Sequence, residues 1–120
     1  MHRTAYLLSA AVLVTAASPA PMVAIEFAHE MNAAMDRMMD SMQIRPNGDV
    51  DRDFAAMMIP HHQGAIDMAV AELRYGANPQ LKRIAQEIIV DQQQEIAAMR
   101  LAIGDQLPPS APAPTQPNRH

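Results

Sequence analysis

At 120 residues with no cysteine, the chain has room for one compact domain and no means of making a disulfide, a thiolate metal site or a Cys nucleophile. Its formal charge of −4 comes without any basic cluster, so the electrostatic footprint of a nucleic-acid binder is missing. Apolar residues make up 49% of the chain but aromatics only 3%, so any core must be built from aliphatic side chains and Met, a composition that suits helices better than strands.

His2 and Arg3 precede an uncharged run from Ala5 to Ala17, rich in Ala, Leu and Val, which is the pattern of a secretory signal. The run is shorter than the roughly 20 apolar residues that span a bilayer, so it reads as a removable leader and not as a stable membrane anchor. Small residues at Ala17, Ala20 and Ala24 offer cleavage points, and residues 1–24 are assigned to the leader. The mature protein is then expected in the periplasm or outside the cell.

Three helices are predicted next. The first runs from about Ile25 to Gln43 and stops before the turn cluster Arg45-Pro46-Asn47-Gly48, where Pro46 disfavours helix at its predecessor. Asp49 or Asp51 caps the second, which ends at Gly76; Asn78 caps the third, with Pro79 at its first helical position, and that helix ends near Gly104. Residues 25–104 are thus an all-α domain, and the short connections imply an antiparallel up-down-up helical bundle. Residues 105–120 carry Pro108, Pro109, Pro112, Pro114 and Pro117 and read as a disordered tail. Three helices make a thin core, which a homodimer or a bound metal would complete.

The 11 methionines are the main departure from ordinary composition. At about 100° per residue, Met31, Met35, Met38, Met39 and Met42 fall in one stripe of the first helix. Taken alone, such a stripe is ordinary core, because Met is a flexible gap-filler. The second helix shifts the balance. Its apolar face holds Phe54, Met57, Met58, Ala65, Met68, Ala69 and Leu73, with Gln63, Asp67 and Arg74 on the far side. His61 and His62 both project from the apolar side, flanked by Met57, Met58 and Met68, where one lone His would be a satisfied core residue. Pro60 adds a helix-interior proline costing about 3 kcal/mol, which suggests a geometry held for a purpose.

Counting outward from a turn centred near Asn47 and Gly48 brings Met31, Met35 and Met38 level with Met57 to His62. Counting from Ala77 brings Gln92 level with His62, and Met99 near Phe54 and Met58. Met68 lies about 10 Å further along the axis, fit for a second site or for the core. Thioether sulfur with imidazole nitrogen selects Cu(I), or Ag(I) as its mimic, because hard cations want oxygen and structural zinc wants thiolate or more imidazoles. Outside the cytoplasm a Cys site is open to disulfide formation, whereas Met binds without deprotonation.

The stretch Asp53-Phe54-Ala55-Ala56-Met57-Met58-Ile59-Pro60-His61-His62-Gln63-Gly64-Ala65-Ile66-Asp67-Met68-Ala69 resembles the signature of the family called domain of unknown function 305. The likeness continues through Gly76-Ala77-Asn78-Pro79, Ile84-Ala85-Gln86-Glu87-Ile88-Ile89 and Gln94-Glu95-Ile96-Ala97-Ala98-Met99, covering roughly Met31 to Leu101. It implies a ferritin-like helical bundle and an exported copper-binding protein linked to copper resistance. By motif position it implies ligand roles for His61, His62, Met57, Met58 and Met68. The Met stripe of the first helix inherits less, and three mature helices are fewer than larger members of the family have.

The leading expectation is an exported Cu(I) or Ag(I) carrier or sequestering protein without turnover, exchanging its ion with a copper donor or acceptor protein. A redox enzyme is a second reading, but a di-iron site uses two Glu-x-x-His pairs and only Glu26 with His29 supplies one. Glu72 and Glu95 project from buried faces and read better as partners of a His or Lys bordering the site. The third reading is a metal-free helical module whose Met stripe binds a partner helix.

Overall fold

The computed structural model of the chain describes residues 21–108, so most of the leader expected over residues 1–24 and most of the tail expected over residues 105–120 lie outside the described residues. Within them the chain forms α1 (Met22–Ser41), α2 (Val50–Tyr75) and α3 (Pro79–Ala102), with no strand. None of the described helices is long and apolar enough to cross a membrane.

Local chemistry sets the helix ends. The Asp49 carboxylate accepts from the backbone N–H groups of Asp51 and Arg52, both at 3.1 Å, satisfying donors that the first turn leaves orphaned. Asn78 does the same for Gln80 and Leu81, at 2.8 and 3.2 Å, with Pro79 at the first helical position. α1 starts at Met22, directly after Pro21 and three residues earlier than the expected Ile25; it stops at Ser41. Gly76 ends α2 in an extended conformation, φ −69° and ψ 151°, so glycine serves there for space: a Cβ would run into the side chain and carbonyl of Glu72.

Cross-helix partners show how the three rods lie. Phe27 meets Tyr75 edge-on with ring centroids 6.3 Å apart, Glu30 meets Arg74 and Tyr75, Arg37 reaches Asp67 at 3.3 Å, and Met38 abuts Gly64. Residue numbers rise on α1 as they fall on α2, so the pair is antiparallel. α3 is antiparallel to α2 in turn: Ile66, Ala69 and Leu73 share a buried cluster with Ala85 and Ile89, His62 meets Glu95, and Arg52 donates to the Ile103 carbonyl at 2.8 Å. Among the described residues, α1 and α3 make no close approach to each other. The architecture is an open layer with α2 in the middle.

That central position corrects the reading of α2 as a helix with one buried face. Gly64, Asp67 and Arg74 turn toward α1, while His62, Ile66, Ala69 and Leu73 turn toward α3, and at 100° per residue these two stripes are nearly opposite. Asp67 and Arg74 are therefore pairing residues of the α1 seam instead of a solvent face. Phe54 and Met57, assigned to the apolar face, are 58% and 41% exposed. Phe54 and Met57 therefore lie on a flank of α2 that neither neighbour covers.

The register also differs from the count. The count assumed helices ending symmetrically about a tight turn, but the chain leaves α1 at Ser41 and travels without regular structure to Asp49, with the Asn47 N–H donating to Asp53 at 3.2 Å. This connection carries α2 two turns further along α1. Met38 consequently stands against Gly64 and not against Met57 to His62.

A Cβ built on Gly64 would sit 2.6 Å from Sδ of Met38 and 2.8 Å from both its Cβ and Cγ. The sulfur can swing aside, but the Met38 Cβ moves only with its backbone. In an open helix site Gly→Ala raises stability by about 0.5–1 kcal/mol. Here Gly64→Ala is expected to lower it by about 1–3 kcal/mol, the usual cost of overpacking. Urea unfolding checks this, and a stabilised variant would mean that the α1–α2 seam is looser than described.

Candidate metal centre

His62 is the only polar residue buried among the described ones, at 8% exposure. Its two ring nitrogens have separate partners. Nδ1 lies 2.8 Å from the Met58 carbonyl one turn earlier, and since a carbonyl only accepts, Nδ1–H is the donor. Nε2 then faces Oε2 of Glu95 on α3 at 2.6 Å, a contact that needs one proton shared between ring and carboxylate. The arrangement of Nδ1 on a backbone carbonyl and Nε2 directed outward is the way ligating histidines are held. The Glu95 side chain is 58% exposed and so is free to leave Nε2.

His61 is exposed, with its ring centroid 5.8 Å from that of His62 and the planes at 63°. The two imidazoles therefore do not share one environment: His62 lies in the α2–α3 seam and His61 on the open flank. Met57 is exposed and Met58 half-buried on the preceding turn. Pro60 sits within α2 without breaking it and, lacking an N–H, leaves the Ala56 carbonyl without its helical partner.

The observed pairing redistributes the other sulfurs. Extending it from Met38 against Gly64 puts Met42, the residue that caps α1, level with His61. It puts Met35 level with Met68, and Met31 level with Glu72, about 15 Å along the axis from His62. Met99 stays level with Met58, as the His62–Glu95 contact requires. The structure thus gathers His61, His62, Met57 and Met58, with Met42 and Met99 at the same height. It separates Met35 and Met68 as a second pair of sulfurs and leaves Met31 apart. Met38 is half-buried and taken up by the Gly64 contact. Met42 was legible only as one of five in a stripe, because its height depends on the path of the connecting loop.

The opposite flank of the layer is polar. Arg37 pairs with Asp67, Arg74 with Glu30, and the Tyr75 hydroxyl donates to Glu30 at 2.9 Å. Those bonds to Glu30 raise the pKa of both Tyr75 and Arg74 above their ordinary values. His29 lines a shallow groove on this side with Arg37, Asp67 and Arg74, away from the sulfurs. Among the described residues no three His, Asp or Glu side chains gather at one point.

The family model for Domain of unknown function (DUF305) matches residues 9–103, most of the chain. The chain belongs to the DUF305 family. The match takes in all three helices and begins inside the apolar run before α1. A comparison with curated proteins found no match. Within this DUF305 chain the Met-Met-Ile-Pro-His-His-Gln run forms the middle of α2, where one imidazole is anchored and the other is open.

Proposed function

We propose that this DUF305 protein is an exported carrier or sequestering protein for Cu(I), or Ag(I), that binds its ion without catalysing a reaction. The observation that carries the reading is the orientation of His62, whose Nδ1–H is tied to the Met58 carbonyl while Nε2 points at a largely exposed carboxylate. An entering Cu(I) would take Nε2 in place of Glu95 and draw its remaining ligands from His61, Met57, Met58, Met42 and Met99. Thioethers and imidazoles are soft and borderline donors, which suits Cu(I) and suits hard ions poorly. Met35 with Met68, and Met31 beyond them, form a further run of sulfurs along which the ion could be handed to a copper donor or acceptor protein. Ligand exchange of this kind needs flexible side chains, and Met has three rotatable bonds. The export assignment rests on the apolar run from Ala5 to Ala17.

Competition against a coloured Cu(I) chelator under oxygen-free conditions tests the proposal. At least one Cu(I) per chain is expected to be withheld, while Zn(II), Mg(II) and Ca(II) are bound weakly or not at all. A helical protein that leaves all Cu(I) with the chelator would refute the assignment.

A further inference from the structure

The flank of α2 that neither neighbour covers continues across the whole layer. Met35 and Met39 on α1, Phe54 and Met57 on α2, and Ile84 and Ile88 on α3 are each between 36 and 58% exposed. Two ion pairs and the buried cluster between α2 and α3 fix the rotation of the helices and put these six side chains on one side. The bonds from Arg37 to Asp67 and from Arg74 to Glu30 define the polar side of the α1–α2 seam, and at 100° per residue Met35 and Met39 leave α1 from the other side. Ala85 and Ile89 face α2, and at 100° per residue Glu95, Ile84 and Ile88 share one flank of α3, which the antiparallel packing on α2 puts on the same side as Phe54 and Met57. No Lys or Arg of the three helices falls on this face; its charged groups are Glu72, Asp91 and Glu95.

We infer that this face is the interface of a two-fold homodimer in which two three-helix layers stack. Scattered exposed apolar residues need no explanation, but a contiguous apolar face does. Its size suits a second copy: helices of 20, 26 and 24 residues laid side by side present about 30 by 30 Å, or roughly 900 Å², against the approximately 800 Å² per partner of a stable interface. Its chemistry also favours a second copy over a lipid surface, because membrane-binding faces carry Lys and Arg for anionic headgroups and this one carries carboxylates. Two-fold pairing lets the same apolar patch serve both subunits. Stacking encloses Met35, Met57 and His61 between the layers, which gives the thin core of each chain a second side.

The test uses metal-free protein expressed from the 120-residue sequence, so that it is independent of the copper reading. Sedimentation at about 100 µM, above the micromolar limit for interfaces of this size, is expected to show a dimer. Phe54→Glu combined with Ile88→Glu should give a monomer with unchanged helical circular dichroism, while Leu101→Glu, 61% exposed on the other flank, should stay dimeric. Because the chain has no Cys, a single introduced thiol supplies a second readout that does not depend on the folding of the double variant. Ala65→Cys, near the centre of the face, should form a disulfide-linked dimer at least tenfold faster than Leu101→Cys. A native chain that is monomeric overturns the inference, whether the face is then bare or covered by residues 1–20. Equal crosslinking of the two Cys variants, or a dimer that survives both Glu substitutions, overturns it as well.

Discussion

Replacing His61 and His62 together by Ala is expected to weaken Cu(I) binding by about 100-fold or more, since even the outer partners of a metal ligand are worth 10–100-fold. The two single variants should separate the roles of the rings. His61 is exposed on the single chain and makes no hydrogen bond among the described residues, so at concentrations where the chain is monomeric His61→Ala should leave stability within about 0.5 kcal/mol of the parent while reducing affinity. His62 fills the α2–α3 seam and joins Met58 to Glu95, so His62→Ala should reduce affinity and also cost about 1–3 kcal/mol of stability. Chelator competition and urea unfolding of both variants supply the two readouts. Unchanged Cu(I) affinity in the double variant, together with loss of the apo fold, would identify both as structural histidines and remove the basis of the proposed function.

Saturating Cu(I) is expected to raise the thermal midpoint well beyond 5 °C. The side chains buried in the core cluster are few and small, namely Ile66, Ala69, Leu73, Ala85 and Ile89, so the apo domain has little apolar burial to draw on. On the α1 side, the seam between α1 and α2 buries only Ala34, beside ion pairs, one aromatic contact and Met38 against Gly64. Coordination that includes Met42 would tie the end of α1 to the middle of α2. A ligand that binds only the folded state stabilises it by about 2.7 kcal/mol at 100 times its dissociation constant. In a domain of this size each kcal/mol moves the midpoint by about 4–8 °C, which puts the expected shift at about 10–20 °C. Calorimetry under reducing, oxygen-free conditions checks it. An unchanged midpoint at a concentration shown separately to saturate the protein would place the ion on the surface instead of between the helices.

Helix number, helix type and most helix ends were legible in the residues because they depend on neighbours within a turn or two. Asp49 and Asn78 with Pro79 act locally, and periodicity reports the angle of each side chain about its own axis. The His pair with its Met neighbours was legible for the same reason, being contiguous on one helix. Glu95 was readable as a bordering carboxylate, but the count from Ala77 put Gln92 level with His62, and the structure brings Glu95 there, three residues further along α3. The connection before Asp49 left more freedom, and there the count was two turns out. Periodicity also could not say in which directions the neighbours of α2 lie. Only packing decided that α1 and α3 take opposite sides of it, which pairs Asp67 and Arg74 with α1, exposes Phe54 and Met57, and divides the sulfurs between the level of His61 and the level of Met68. Angles about one helix axis are a local property of the chain, whereas heights and neighbours are set by the loop paths and by which surfaces meet.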